Sequence, residues 1–140
     1  MSTTLLLRIA SIISVLFAVG HSMGGIHQWS PSPIEDNPVL RAMTDTHYDV
    51  MGASRSHLDF FLGFGWSISV FQVMQAILLW QLSSMAKTDA QRVRPMIAVF
   101  ALATAGTGII AWRYIFLIPT VLSAVLAIVL GLAYVSVRSK

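Results

Sequence analysis

Four apolar stretches, about Thr4–Gly24, Leu58–Ser83, Met96–Trp112 and Ile115–Val137, take up well over half of this 140-residue chain. A bilayer's hydrocarbon core, about 30 Å thick, is crossed by about 20 apolar residues of helix, and each stretch falls within the workable range. In that solvent every backbone N–H and C=O must bond inside a helix or a closed barrel. Runs that are continuously apolar rather than alternating leave the helix as the solution. The expectation is an all-α polytopic membrane protein, a single domain over residues 1–140, built as a four transmembrane helix bundle with a long outer loop over residues 25–57.

So little chain lies outside the spans that no soluble domain has room to form. Charged residues make up 11% of the chain, against about 25% in ordinary soluble domains. The absence of cysteine excludes disulfides, thiolate nucleophiles and Cys-ligated zinc or iron–sulfur centres. The net charge is +3, but the basic residues fall at helix ends rather than on one patch, which is the membrane pattern and excludes nucleic acid as a partner. The same residues set the orientation. Arg8, Lys87, Arg92, Arg94, Arg138 and Lys140 fall on one side and Arg41, Arg55 and Arg113 on the other, so both termini are expected in the cytoplasm. The first stretch shares features with a signal peptide, with Arg8 ahead of an apolar run and Ala18-Val19-Gly20 in small-x-small form. Its apolar character continues through Met23 to Ile26, which favours a retained span. Arg8 is expected to snorkel to the headgroups.

Pro95 and Pro119 are expected in the first turns of the third and fourth helices, where a missing N–H costs nothing. Trp112-Arg113-Tyr114 is expected as the turn that joins those helices into an antiparallel hairpin. Helices in lipid associate by close backbone approach and a few polar contacts, so small residues should mark the contact faces. These are Ser11, Ser14, Ala18 and Ser22 in the first helix, and Gly63 and Ser67 in the second, with Gly65 and Ser69 on an adjacent stripe. In the third they are Ala101, Ala105 and Gly108, with Thr104 and Thr107 beside them. Gln72 and Gln75 inside the second helix are expected to bond between helices, because an unpaired buried amide is costly.

The loop is far longer than a helix–helix connection needs to be. Its prolines at 31, 33 and 38 exclude regular helix from the Trp29–Pro38 segment. Asn37 is then expected to cap a short helix with Pro38 at its first position, running through Val39, Leu40, Ala42 and Met43 towards Thr46. Such an amphipathic element would lie on the outer membrane surface with Leu40 and Met43 inward.

All of the histidines, His21, His27, His47 and His57, fall on this outer side. His21, His57, Asp59, Arg55 and Arg113 form a candidate polar cluster, since the ends of the first and third helices and the start of the second meet at one membrane surface. Imidazole and carboxylate groups can transfer protons or ligate zinc, iron or copper, which makes the histidines the candidate metal ligands. No His-x-x-x-His or His-Glu-x-x-His pair occurs. A hydrogen-bonded network that holds the loop is the plainer reading of the same residues. Asp59 would pair with Arg55 if the second helix already includes both, or with Arg113 across the bundle. No cofactor motif is present.

The segments Gly20-His21-Ser22-Met23-Gly24-Gly25, Met51-Gly52-Ala53-Ser54-Arg55-Ser56 and Asp59-Phe60-Phe61-Leu62-Gly63-Phe64-Gly65 give the chain a resemblance to a family of small bacterial four-helix integral membrane proteins of unknown function. The likeness covers most of the chain. It implies a four-span architecture in the bacterial inner membrane, with an outer loop before an aromatic- and glycine-rich second helix, and it brings no activity. The family pattern often has an aromatic residue where this chain has Leu58.

Two functions stand open. One is a non-catalytic membrane protein whose helix faces bind membrane lipid, a membrane protein partner or a second copy of the chain. The other is a small membrane enzyme acting on a lipid-like substrate through the outer His/Asp/Arg cluster. A transporter is least favoured, because the midplane lacks the ionisable residues that mark most ion pathways. The orientation is directly testable: single cysteines at Ser32 and Ser84 should react with an impermeant thiol reagent from opposite sides of the membrane, and labelling of both from the outside would refute it.

Overall fold

The computed structural model describes residues 1–26 and 36–137, and side chains are described except at Gly25 and Ile26. His27, the 29–35 part of the loop, Arg138 and Lys140 therefore lie outside the described residues. Among the described residues four helices are long and apolar enough to cross a membrane, over Thr3–Gly24, His57–Met85, Ala90–Tyr114 and Leu117–Ser136. In chain order the elements are α1 (Thr3–Gly20), a π-helical turn (His21–Ile26), α2 (Pro38–Asp45), strands β1 (His47–Val50) and β2 (Ala53–Ser56), α3 (His57–Met85), α4 (Ala90–Tyr114) and α5 (Leu117–Ser136). The chain divides into two compact units, Met1–Phe17 with Gln72–Lys140, and Ala18–Phe71.

The first unit holds the apolar core. Leu6, Leu7 and Ala10 of α1 meet Leu79 and Leu82 of α3, Val93 and Ile97 of α4, and Leu126, Leu130 and Ala133 of α5. Few polar bonds fix the facing sides. Ser11 Oγ donates to the Ala76 carbonyl at 2.7 Å and Gln75 Nε2 to Ser14 Oγ at 3.2 Å, so α1 and α3 are joined by hydroxyl and amide. Gln75 thus bonds between helices as expected, whereas the buried Oε1 of Gln72 has no partner among the described residues. Thr3 and Ser136 hydroxyls, 2.7 Å apart, link the start of α1 to the end of α5.

Helix α4 starts earlier than its apolar run. Asp89 caps it, its carboxylate accepting from Arg92 N–H at 3.1 Å, so Pro95 lies inside the helix rather than in its first turn. The carboxylate supplies the start that proline was expected to mark, and only the bond that a residue-95 amide would give to the Gln91 carbonyl is lost. Pro119 does fall in the first turn of α5. Trp112, Arg113 and Tyr114 complete α4 instead of forming the turn, which is left to Ile115 and Phe116. The Ile115 amide bonds back to Ala111 O at 2.9 Å, and Phe116 is extended, so the reversal needs only these two residues.

The α4–α5 seam runs through Val93, Ile97, Thr104 and Ala111 on one side and Ser123, Leu126, Leu130 and Ala133 on the other, at the three- and four-residue spacing of one helix face. Of the small residues expected there, Ala105 is exposed, while a Cβ on Gly108 would lie 3.2 Å from Ser123 Cβ. The stripes on α3 are also exchanged: Gly65 and Ser69 are buried, and Gly63 and Ser67 are exposed. A Cβ on Gly63 would meet nothing within 4 Å.

Gly108→Leu should therefore destabilise the protein by about 1–3 kcal/mol through overpacking, read as a lowered melting temperature in detergent. Leu78→Val, at a partly exposed position, should leave the melting temperature within a degree or two; equal losses in both variants would refute this seam.

Candidate functional site

The second unit is organised by local chain chemistry. Asn37 Oδ1 accepts from the amides of Val39 and Leu40 at 3.0 and 3.2 Å, with Pro38 at the first helical position, so α2 begins where expected. Leu40 is buried and Met43 partly so. Beyond α2 the chain forms a hairpin that the sequence did not announce: β1 and β2 pair antiparallel, His47 opposite Ser56 and Val50 opposite Ala53. Met51 (φ 52°) and Gly52 (φ 82°) form the two-residue loop, both left-handed, as a type I′ turn requires. Glycine accommodates that backbone; Met51 adopts it fully exposed to solvent.

The hairpin delivers the chain to α3. Ser56, at the end of β2, caps the helix reciprocally: Asp59 Oδ2 accepts from Ser56 N–H at 2.8 Å and Ser56 Oγ accepts from Asp59 N–H at 3.1 Å. This is the capping-box arrangement with aspartate in place of glutamate, and Ser56-His57-Leu58-Asp59 carries its sequence signal. Because α3 begins at His57, Arg55 lies on a strand rather than one turn before Asp59 on the same helix, and its Nη1 donates to Ser54 O at 2.8 Å. The Ser56 hydrogen bonds are the larger influence on the Asp59 carboxylate and the Arg55 charge a smaller one. Arg113 belongs to the other unit, with its guanidinium carbon 5.6 Å from the centre of the Tyr114 ring.

The described histidines, His21, His47 and His57, are each hydrogen-bonded to protein atoms. His21 Nε2 lies 2.9 Å from Gly65 O, and since a carbonyl can only accept, that nitrogen carries the proton. One residue on, Ser22 Oγ donates to Ala18 O at 2.8 Å and lies 2.8 Å from Ser69 Oγ, so the π-helical turn is fastened to α3 at consecutive positions. His57 Nε2 is hydrogen-bonded to the Tyr48 hydroxyl, with their rings edge to face at 4.7 Å. His47 Nδ1 is 3.3 Å from Asp45 O. Among the described residues no three of His, Asp or Glu gather as a metal site.

Beside the cap, a groove of about 300 Å³ runs along α3, lined by Arg55, Asp59, Phe60, Gly63, Phe64 and Ser67. One end carries a guanidinium and a carboxylate; the rest offers two phenyl rings flanking a glycine. Arg55 and Asp59 are members of the polar cluster expected from the sequence, whereas Gly63 and Ser67, expected at a helix contact, line the groove instead. The groove suits an amphiphile with a polar head and an apolar body. Compared with family models, curated proteins and solved structures, the chain matches none.

The reciprocal cap has a measurable consequence. Ser56→Ala should cost about 0.5–2 kcal/mol of stability, as N-cap truncations do. A Ser56/Asp59 double-mutant cycle read by thermal unfolding should give a coupling energy well above error, and strict additivity would show that the two side chains do not support each other.

Proposed function

We propose that this is a small, non-catalytic integral membrane protein that holds a membrane phospholipid in the Arg55–Ser67 groove. It belongs, on this reading, to the family of small four-helix proteins of the bacterial inner membrane that its sequence resembles. Both termini are cytoplasmic and residues 25–57 lie outside. The asymmetric distribution of basic residues supports that orientation.

The observation that carries the proposal is the groove itself. Asp59 and Ser67 are eight residues apart on α3, so the groove extends about 12 Å along the helix axis. A headgroup phosphate would meet Arg55, whose planar guanidinium binds phosphate oxygens in pairs. The upper part of an acyl chain would follow Phe60, Gly63 and Phe64. The hydrogen bonds of His21 and His57 favour a structural use of the imidazoles over acid–base catalysis.

Gly63→Leu tests the reading, because a Cβ at that position meets nothing within 4 Å and the side chain is added on the groove itself. The expected result is an unchanged melting temperature with a several-fold loss of phospholipid retained through purification, measured by native mass spectrometry. Undiminished retention would refute lipid in the groove, and disulfide-linked dimers of a Ser67→Cys variant would assign it to a second copy.

A further inference from the structure

We infer that the first unit carries a separate binding site for anionic phospholipid, formed by Arg8 and Arg94 at one end of its helices. It stands whether or not the groove of the second unit takes a lipid. Arg8 is the sixth residue of α1 and Arg94 the fifth of α4, so each lies about 6–8 Å inside its helix start at 1.5 Å per residue. Trp80 and Tyr134 stand close to the ends of α3 and α5. These helix starts and ends belong together: Thr3 of α1 bonds Ser136 of α5, and residues 86–89 alone join α3 to α4.

The two arginines share an uncommon environment. The Arg8 guanidinium carbon lies 5.1 Å from the centre of the Trp80 ring and that of Arg94 4.4 Å from the centre of Tyr134. Each Nε is buried without a hydrogen-bond partner among the described residues. Each charge is thus partly desolvated, set over a ring, and left to meet a counter-charge through its terminal nitrogens. Among the described residues of the unit the only carboxylate side chain is Asp89, which caps α4, against Arg8, Lys87, Arg92, Arg94 and Arg113. The counter-charge is then an anion from outside the unit's described residues. At headgroup depth, beside aromatic rings of the interfacial kind, the chemistry that matches is a lipid phosphodiester of net negative charge. An apolar cleft of about 240 Å³ between Met1, Leu6, Leu132, Val135 and Ser136 opens at the same helix ends and can receive an acyl chain.

The test uses the full-length protein, delipidated in detergent and titrated with phosphatidylglycerol or phosphatidylcholine of the same chains, with bound lipid counted by native mass spectrometry. Phosphatidylglycerol should bind several-fold more tightly. Arg8→Gln and Arg94→Gln should each weaken it about five-fold, the scale of one arginine near an anionic lipid surface, and Arg8→Lys should recover part of the loss. Arg92→Gln, at an exposed position on the same helix, should change it less than two-fold. Equal affinity of the wild-type protein for both lipids overturns the site, and this holds even where a variant fails to fold. An Arg92→Gln loss as large as that of Arg94→Gln overturns it in favour of diffuse surface charge. Displacement of the lipid by millimolar inorganic phosphate overturns it in favour of a free-anion site.

Discussion

Two bonds between α1 and α3, from Ser11 to the Ala76 carbonyl and from Gln75 to Ser14, set the arrangement on which the first unit depends. Helices as apolar as these gain little by hiding apolar surface from lipid, so van der Waals fit and a few directional contacts must choose which faces meet. The need is greatest for α3, whose exposed residues include Phe60, Phe64, Val70, Phe71, Val73, Met74 and Ile77. A helix apolar on nearly every side has no rotational preference of its own. A hydroxyl and an amide that must find partners supply one, and Leu79 and Leu82 then fall into the core. Between α4 and α5 the same role passes to shape, with Gly108 against Ser123.

The second unit is built on different physics. Its order comes from the chain satisfying its own backbone ends: Asn37 for α2, Ser56 and Asp59 for α3, and Met51-Gly52 for the hairpin. Local bonds of this kind use up side chains that would otherwise suggest catalysis. Asp59 serves a helix start, His57 a tyrosine hydroxyl, and His21 the carbonyl of Gly65. The last of these, with Ser22 against Ser69, turns the Gly65/Ser69 stripe of α3 towards the end of the first span. Gly63 and Ser67 are left on an open face, and the groove results from that choice. The candidate site is thus a by-product of packing, with a polar end contributed by the hairpin and the first turn of α3.

Apolar length alone determined the number of candidate spans, because crossing a hydrocarbon layer is a one-dimensional requirement that any linear sequence displays. Local chemistry was equally legible where it acts within four residues, as at Asn37-Pro38 and Pro119. It was present but unread at Ser56-x-x-Asp59. The hairpin escaped because Met51-Gly52 lacks the Asn or Asp that usually announces such a turn, and because the alternation of His47 and Asp49 with Tyr48 and Val50 is only four residues long. Asp89 escaped because the polar turn it starts lies ahead of the apolar run. Only the tertiary structure decided which stripe of α3 is covered, that Ala105 faces outward while Gly108 faces inward, and that Arg55 lies on a strand beside a groove. The rotations of α3 and α4 are choices among faces that are nearly all apolar, made by the partner helix, which the sequence of one helix does not contain; the place of Arg55 follows from the hairpin that precedes α3.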